Sequence, residues 1–162
     1  MSHPVAEERP VAHGDALNLV RAAIAEAAGP GSAAQRVVDV LHDRFPPYDW
    51  VGIYWVEGSD LVLGPWTGPE ATEHTRIPIG TGVCGAAAES GRTEIVGDVT
   101  ADPRYLACFA STRSEIVVPI FDGSAVIGEI DIDGSDLDAF DATDARFLEE
   151  IAALLAPLRP RT

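Results

Sequence analysis

The chain has 162 residues, of which 46% are hydrophobic and 23% charged, ordinary values for a globular protein with one domain's worth of core. Twenty-six acidic residues against eleven basic ones give a formal net charge of -15, and all eleven basic residues are arginine. The absence of lysine excludes Schiff-base chemistry and any lysine phosphate cradle, and the acidity argues against nucleic acid or an anionic membrane as partner, because both demand a basic face.

Residues 1–13 are polar and proline-containing, without the apolar core of a secretory signal, and read as a loose tail before a single domain at 14–158. No window approaches the roughly twenty apolar residues of a membrane span. A cytoplasmic protein is expected, in which Cys84 and Cys108 are free thiols, redox groups or metal ligands rather than a structural disulfide.

Asp15 is the expected cap of a first helix with apolar positions Leu17, Val20, Ile24 and Ala28 and a stop at Gly29. Ser32 would cap a second, whose face is Val37, Val38, Leu41 and Phe45, ended by Pro46-Pro47. The period then changes to two. Residues 50–56 alternate as a strand and turn at Gly58-Ser59-Asp60 into Leu61, Val62 and Leu63. After a loop at 64–70 comes a strand at 72–77, and Gly80, Gly82 and Gly85 then open a short helix with Cys84 in its first turn. The G-x-G-x-x-G spacing at 80–85 lacks the acidic residue and the parallel-strand context of a dinucleotide loop. A short strand at 94–96 and a polar crossover at 98–106 deliver Cys108. Strands at 115–121 and 125–133 flank a turn at Asp122-Gly123-Ser124, and an amphipathic helix at 142–155 carries Phe147, Leu148, Ile151, Leu154 and Leu155. The predicted class is α+β: a central, mostly antiparallel sheet, terminal helices on one face, and a pocket on the other under the lid-like segment that holds both cysteines.

Two features carry chemistry. Cys108 lies seven residues before Glu115, close enough for thiol and carboxylate to wall one cavity, although a lone cysteine is most often a small inert hydrophobe. Glu129, Asp131 and Asp133 alternate along one strand and share a face. They are either a solvated edge or a cluster converging with Glu115, in which case mutual repulsion keeps one of them protonated near neutrality. Zinc ligation by Cys84, Cys108, His74 and a carboxylate has no C-x-x-C or His-x-x-x-His spacing behind it, so neither metal nor cofactor is expected.

The motifs D-W-V-G-I-Y at Asp49 to Tyr54, L-V-L-G-P at Leu61 to Pro65, R-I-P-I-G-T-G-V-C-G at Arg76 to Gly85, L-A-C at Leu106 to Cys108, S-E-I-V-V-P at Ser114 to Pro119 and G-E-I-D-I-D at Gly128 to Asp133 occur in that order. From about Asp49 to Leu155 the chain resembles the free methionine-(R)-sulfoxide reductases, small single-domain members of the GAF fold. The resemblance implies free methionine-(R)-sulfoxide held between Trp50 and Tyr54 on one side and Glu115, Asp131 and Asp133 on the other. Catalytic roles fall to Cys108, Cys84, Glu115 and Asp133. Cys108 is the attacking thiolate, a protonated carboxylic acid bonds the departing oxygen, and the resulting sulfenic acid condenses with a second thiol. An external reductant, thioredoxin or another dithiol, and a homodimer formed through the helical face are further implications. Two positions differ from the family. His74 stands where a resolving cysteine is common, leaving Cys84 as the intramolecular resolver, and residues 104–107 read R-Y-L-A where G-H-I-A is more usual. The alternative reading is a non-catalytic GAF domain that binds or senses an amino-acid-like or redox ligand.

Overall fold

The computed structural model describes residues 9–107 and 109–161; Cys108, together with 1–8 and 162, lies outside the described residues. Its centre is a six-stranded sheet built from β1 (Trp50–Glu57), β2 (Asp60–Thr67), β3 (Arg76–Pro78), β4 (Glu94–Val96), β5 (Ser114–Asp122) and β6 (Ala125–Gly134), in the order β3-β2-β1-β6-β5-β4. All neighbouring pairs are antiparallel. Two tight hairpins set much of this register. Glu57 pairs with Asp60 across Gly58-Ser59, and Asp122 with Ala125 across Gly123-Ser124. Gly58 and Gly123 each take the positive φ that the first position of such a turn requires, at 61° and 62°.

Alternation along the strands divides the side chains between two cores. One face carries Val51, Ile53, Ile116, Val118, Ile130 and Ile132 against α1 (Arg9–Glu26), α2 (Pro30–Arg44) and α4 (Ala142–Leu155). Burying aliphatic side chains of this size contributes about 1.5–3 kcal/mol each, so this face anchors the domain. The other face carries Trp50, Tyr54 and Val117 against α3 (Gly82–Ser90), which contributes Val83, Cys84 and Ala87. The predicted layering is therefore correct, as is α4, which starts at a capping box formed by Asp141 and Asp144. No helix among the described residues is long and apolar enough to cross a membrane.

Four boundaries differ from the sequence reading, one being the third strand, which spans only Arg76–Pro78 rather than 72–77. The first helix begins at Arg9, so 9–13 are helical rather than tail and Asp15 is an interior residue rather than a cap. Packing overrides local propensity here: the His13 ring stacks on Phe147, with centroids 4.2 Å apart, and Nε2 lies 3.6 Å from Asp144 Oδ1. The second helix is capped at Gly29 and starts with Pro30, well suited to a first turn, which leaves Ser32 inside it. β2 continues to Thr67 through the predicted loop because a register shift between Gly52 and Tyr54 accommodates the Gly64-Pro65 irregularity.

Candidate active site

The acidic row of β6 is not a solvated edge. β6 lies inside the sheet between β1 and β5, and Glu129, Asp131 and Asp133 are 0%, 2% and 2% exposed. Register explains their convergence with Glu115, which sits directly opposite Asp133 across the β5–β6 pair. On the β1 side the same three acids face Tyr54, Gly52 and Trp50. Helix α3 lays Cys84 over this group, and a Cys84 Sγ, a Glu115 oxygen and an Asp131 oxygen all lie within 4.8 Å of one another.

These residues, with Ile77, Val83 and Leu106, line a cavity with about 10 Å³ of enclosed space, about what one water needs. Leu106 closes it by approaching the backbone of Gly82, where an added Cβ would lie 2.8 Å from the leucine Cγ. A larger groove, about 810 Å³ between β1, β2 and residues 159–161, is lined neither by these acids nor by Cys84.

Among the described residues, no arginine lines the small cavity. Both carboxylate oxygens of Glu129 and of Asp133, and Oδ1 of Asp131, make no well-formed hydrogen bond among the described residues. Burial accordingly pushes the Glu129 and Asp133 carboxyls well above their usual range, with the Asp131 charge adding to both. Asp131 is also raised by burial, against a partial pull back from Glu115, Cys84 and the charge of His74. The Cys84 thiol is driven well up as well, first by burial and then by Asp131, Glu129 and Glu115, so in this environment it is a neutral thiol. The group can therefore donate protons.

Trp50 forms the aromatic wall beside the acids. Its indole leaves no room for a Cβ at Gly52 or Gly68, stacks on Trp66 at 6.1 Å and 13°, and meets Phe109 at 5.8 Å. Tyr54 is on the same face, but its hydroxyl donates to the His74 carbonyl at 2.6 Å, which fixes the loop before β3. His74 Nε2 in turn lies 3.2 Å from the carbonyl oxygen of Ala107, the residue covalently joined to Cys108. Trp50, Glu115, Asp131, Asp133 and Cys84 thus come together, whereas Cys108 falls outside the described residues. Sequence reasoning missed Leu106, Trp66 and Phe109 as parts of the site and did not count Glu129 among the site residues. Their signal was faint: each is an apolar residue in a loop or beside a proline, and Glu129 was visible only as part of an alternating row.

The GAF domain family model matches residues 30–157. Free methionine-R-sulfoxide reductase of Escherichia coli is 36% identical over 116 residues, covering 72% of this chain and 69% of that protein. The protein of the same name from Saccharomyces cerevisiae is 43% identical over 111 residues, covering 66% and 61%. Among solved structures, free methionine-R-sulfoxide reductase from Neisseria meningitidis in complex with its substrate superposes with a TM-score of 0.86 at 37% identity, covering 98% of this chain and 93% of that one. The alternating acids of an interior strand, the tryptophan wall and the helix-borne thiol are thus built on a shared scaffold, and the chain belongs to the GAF domain family, in the group that includes the free methionine-R-sulfoxide reductases.

Proposed function

We propose that the protein is a thiol-dependent reductase of free L-methionine-(R)-S-oxide. The observation that carries this reading is the buried acid group at Glu115, Asp131 and Asp133, with no arginine among the described residues lining it, with Asp131 Oδ1 and both Asp133 oxygens lacking a well-formed hydrogen bond, and with Trp50 beside it. An amino acid supplies a positive charge through its ammonium group, and its methylsulfinyl end suits the indole face. In the proposed cycle the Cys108 thiolate attacks the sulfoxide sulfur and a protonated carboxyl gives its proton to the oxygen. The protonated oxygen then passes as hydroxyl from the substrate sulfur to Cys108 Sγ as the S–O bond and the newly formed S–S bond break; methionine leaves with the S–S electron pair, and Cys108 carries the oxygen as a sulfenic acid. Cys84 then condenses with it, releasing water and forming a disulfide that an external dithiol such as thioredoxin reduces.

An amino-acid-sized ligand does not fit a cavity of about 10 Å³, so entry requires Leu106 to move off Gly82. We assign the protein to the reducing cytoplasm, and assign dimerisation to the helical face, where α1 exposes Val11 and Leu19. One observation favours a second reading, binding without turnover: His74 occupies the usual resolving position, and Cys84 is a buried thiol with a raised pKa.

The deciding experiment follows consumption of methionine-(R)-sulfoxide with dithiothreitol and, separately, with thioredoxin. Turnover that disappears in Cys108→Ser supports the reductase. Binding with no turnover under either reductant establishes the second reading, and full activity in Cys108→Ser eliminates the mechanism. If Cys84→Ser loses only the thioredoxin-linked rate, Cys84 is the resolver.

A further inference from the structure

Cys84, Glu115 and Asp131 come from α3, β5 and β6; the sequence reading offered a convergence of Glu115 with the β6 acids but no spacing that joins Cys84 to them. All three are buried, and one donor atom from each lies within 4.8 Å of the others. A tetrahedral zinc ion with one sulfur and two oxygen ligands needs donor separations of about 3.3–3.8 Å, so an inward shift of about 1 Å closes the set. A second observation points to a cation. Asp131 is 2% exposed, lines the cavity, and has one oxygen, Oδ1, without a well-formed hydrogen bond, and among the described residues no arginine lines the cavity.

We propose that the reduced protein binds one borderline divalent metal ion, zinc in type, through Cys84 Sγ and carboxylate oxygens of Glu115 and Asp131. The thiol selects for this class over magnesium or calcium, which take all-oxygen sets of six or more ligands. Three protein donors leave the fourth tetrahedral position to water. The bound ion occupies the space in front of Glu115 and Asp131 and excludes any ligand whose cationic group uses them. Oxidation of Cys84 to a disulfide removes the sulfur donor and releases the ion. The chelate does not depend on turnover, so it stands or falls separately from the reductase reading.

The test uses Cys108→Ser protein, in which Cys84 is the sole remaining thiol. Anaerobic titration with cobalt(II) is expected to give one equivalent bound and a thiolate-to-cobalt charge-transfer band, which zinc displaces. Adding Cys84→Ser should remove the band, and Asp131→Asn or Glu115→Gln should each weaken zinc binding by at least about tenfold, measured against a chromophoric chelator. Absence of the band in Cys108→Ser protein with a native thermal melt overturns the proposal. So does unchanged zinc affinity in both carboxylate variants, which would mean a thiol contact alone. If Cys108→Ser does not fold, chelator competition with otherwise unaltered protein and with the Asp131→Asn variant reads the same difference.

Discussion

Replacing Glu129 by glutamine tests whether the buried acid row is kept protonated. Glu129 is fully buried, neither of its oxygens has a well-formed partner, and burial raises its pKa above the ordinary value. The unfolded chain releases that proton near the usual glutamate pKa of about 4.3, while the folded chain retains it. The folded state then binds more protons than the unfolded one, so stability falls as pH rises above that value. One retained proton costs about 1.4 kcal/mol per pH unit. Three retained throughout, on Glu129, Asp131 and Asp133, would cost about 4 kcal/mol per unit and would consume most of a typical stability of about 5–15 kcal/mol by neutral pH. A net slope nearer one proton is therefore expected. Removing the charge requirement at Glu129 should stabilise the fold by about 1–3 kcal/mol at pH 7.5 and by almost nothing near pH 4.5. For a domain of this size that is roughly 3–10 °C in melting temperature, read by calorimetry across the pH range. A wild-type protein whose melting temperature rises from pH 5 to 8, or a Glu129→Gln variant with an unchanged slope, would refute the argument.

Gly52→Val places a branched side chain against the Trp50 indole, so it should cost about 1–3 kcal/mol in urea unfolding and shift tryptophan emission. Asp141→Ala removes the α4 capping box and should cost about 0.5–2 kcal/mol, without the emission shift. Cys84 is 6% exposed with a raised pKa, so iodoacetamide at pH 8 should alkylate it at least about tenfold more slowly than free cysteine, followed by intact mass in Cys108→Ser protein. Alkylation at the free-cysteine rate would show that the cavity is open in solution.

The legible parts of this chain were those in which local pattern and tertiary structure agree. Phe147, Leu148, Ile151 and Leu155 recur at helical spacing and are buried together, and the two glycine turns define hairpins that the sheet keeps. The start of α1 was hidden because it depends on His13 stacking across to Phe147, a contact between residues far apart in sequence. The acid row remained ambiguous for a similar reason. Alternation puts Glu129, Asp131 and Asp133 on one face whether that face is wet or dry, and only the placement of β6 between β1 and β5 decides. The family motifs brought Glu115 to this row before its register was known; L-A-C contains Leu106 but does not show that it covers the cavity, and Phe109 lies just outside that motif.

Position 74 joins these strands of reasoning. A cysteine there would serve chemistry directly, whereas His74 links two loops: its carbonyl accepts from Tyr54 and its ring reaches the Ala107 carbonyl beside Cys108. A single hydrogen bond of this kind contributes only about 1 kcal/mol, enough to bias the covering segment toward closure without locking it. Closure has an energetic consequence on the acids beneath. It keeps water from carboxyl oxygens of Glu129, Asp131 and Asp133 that lack well-formed partners, a desolvation cost that the ammonium of the proposed substrate would relieve. The same closure works against regeneration in the proposed cycle, because Cys84 is buried under it as a neutral thiol and a neutral thiol is a poor nucleophile. In the proposed cycle, substrate entry and resolution by Cys84 would both draw on the same opening of Leu106 from Gly82.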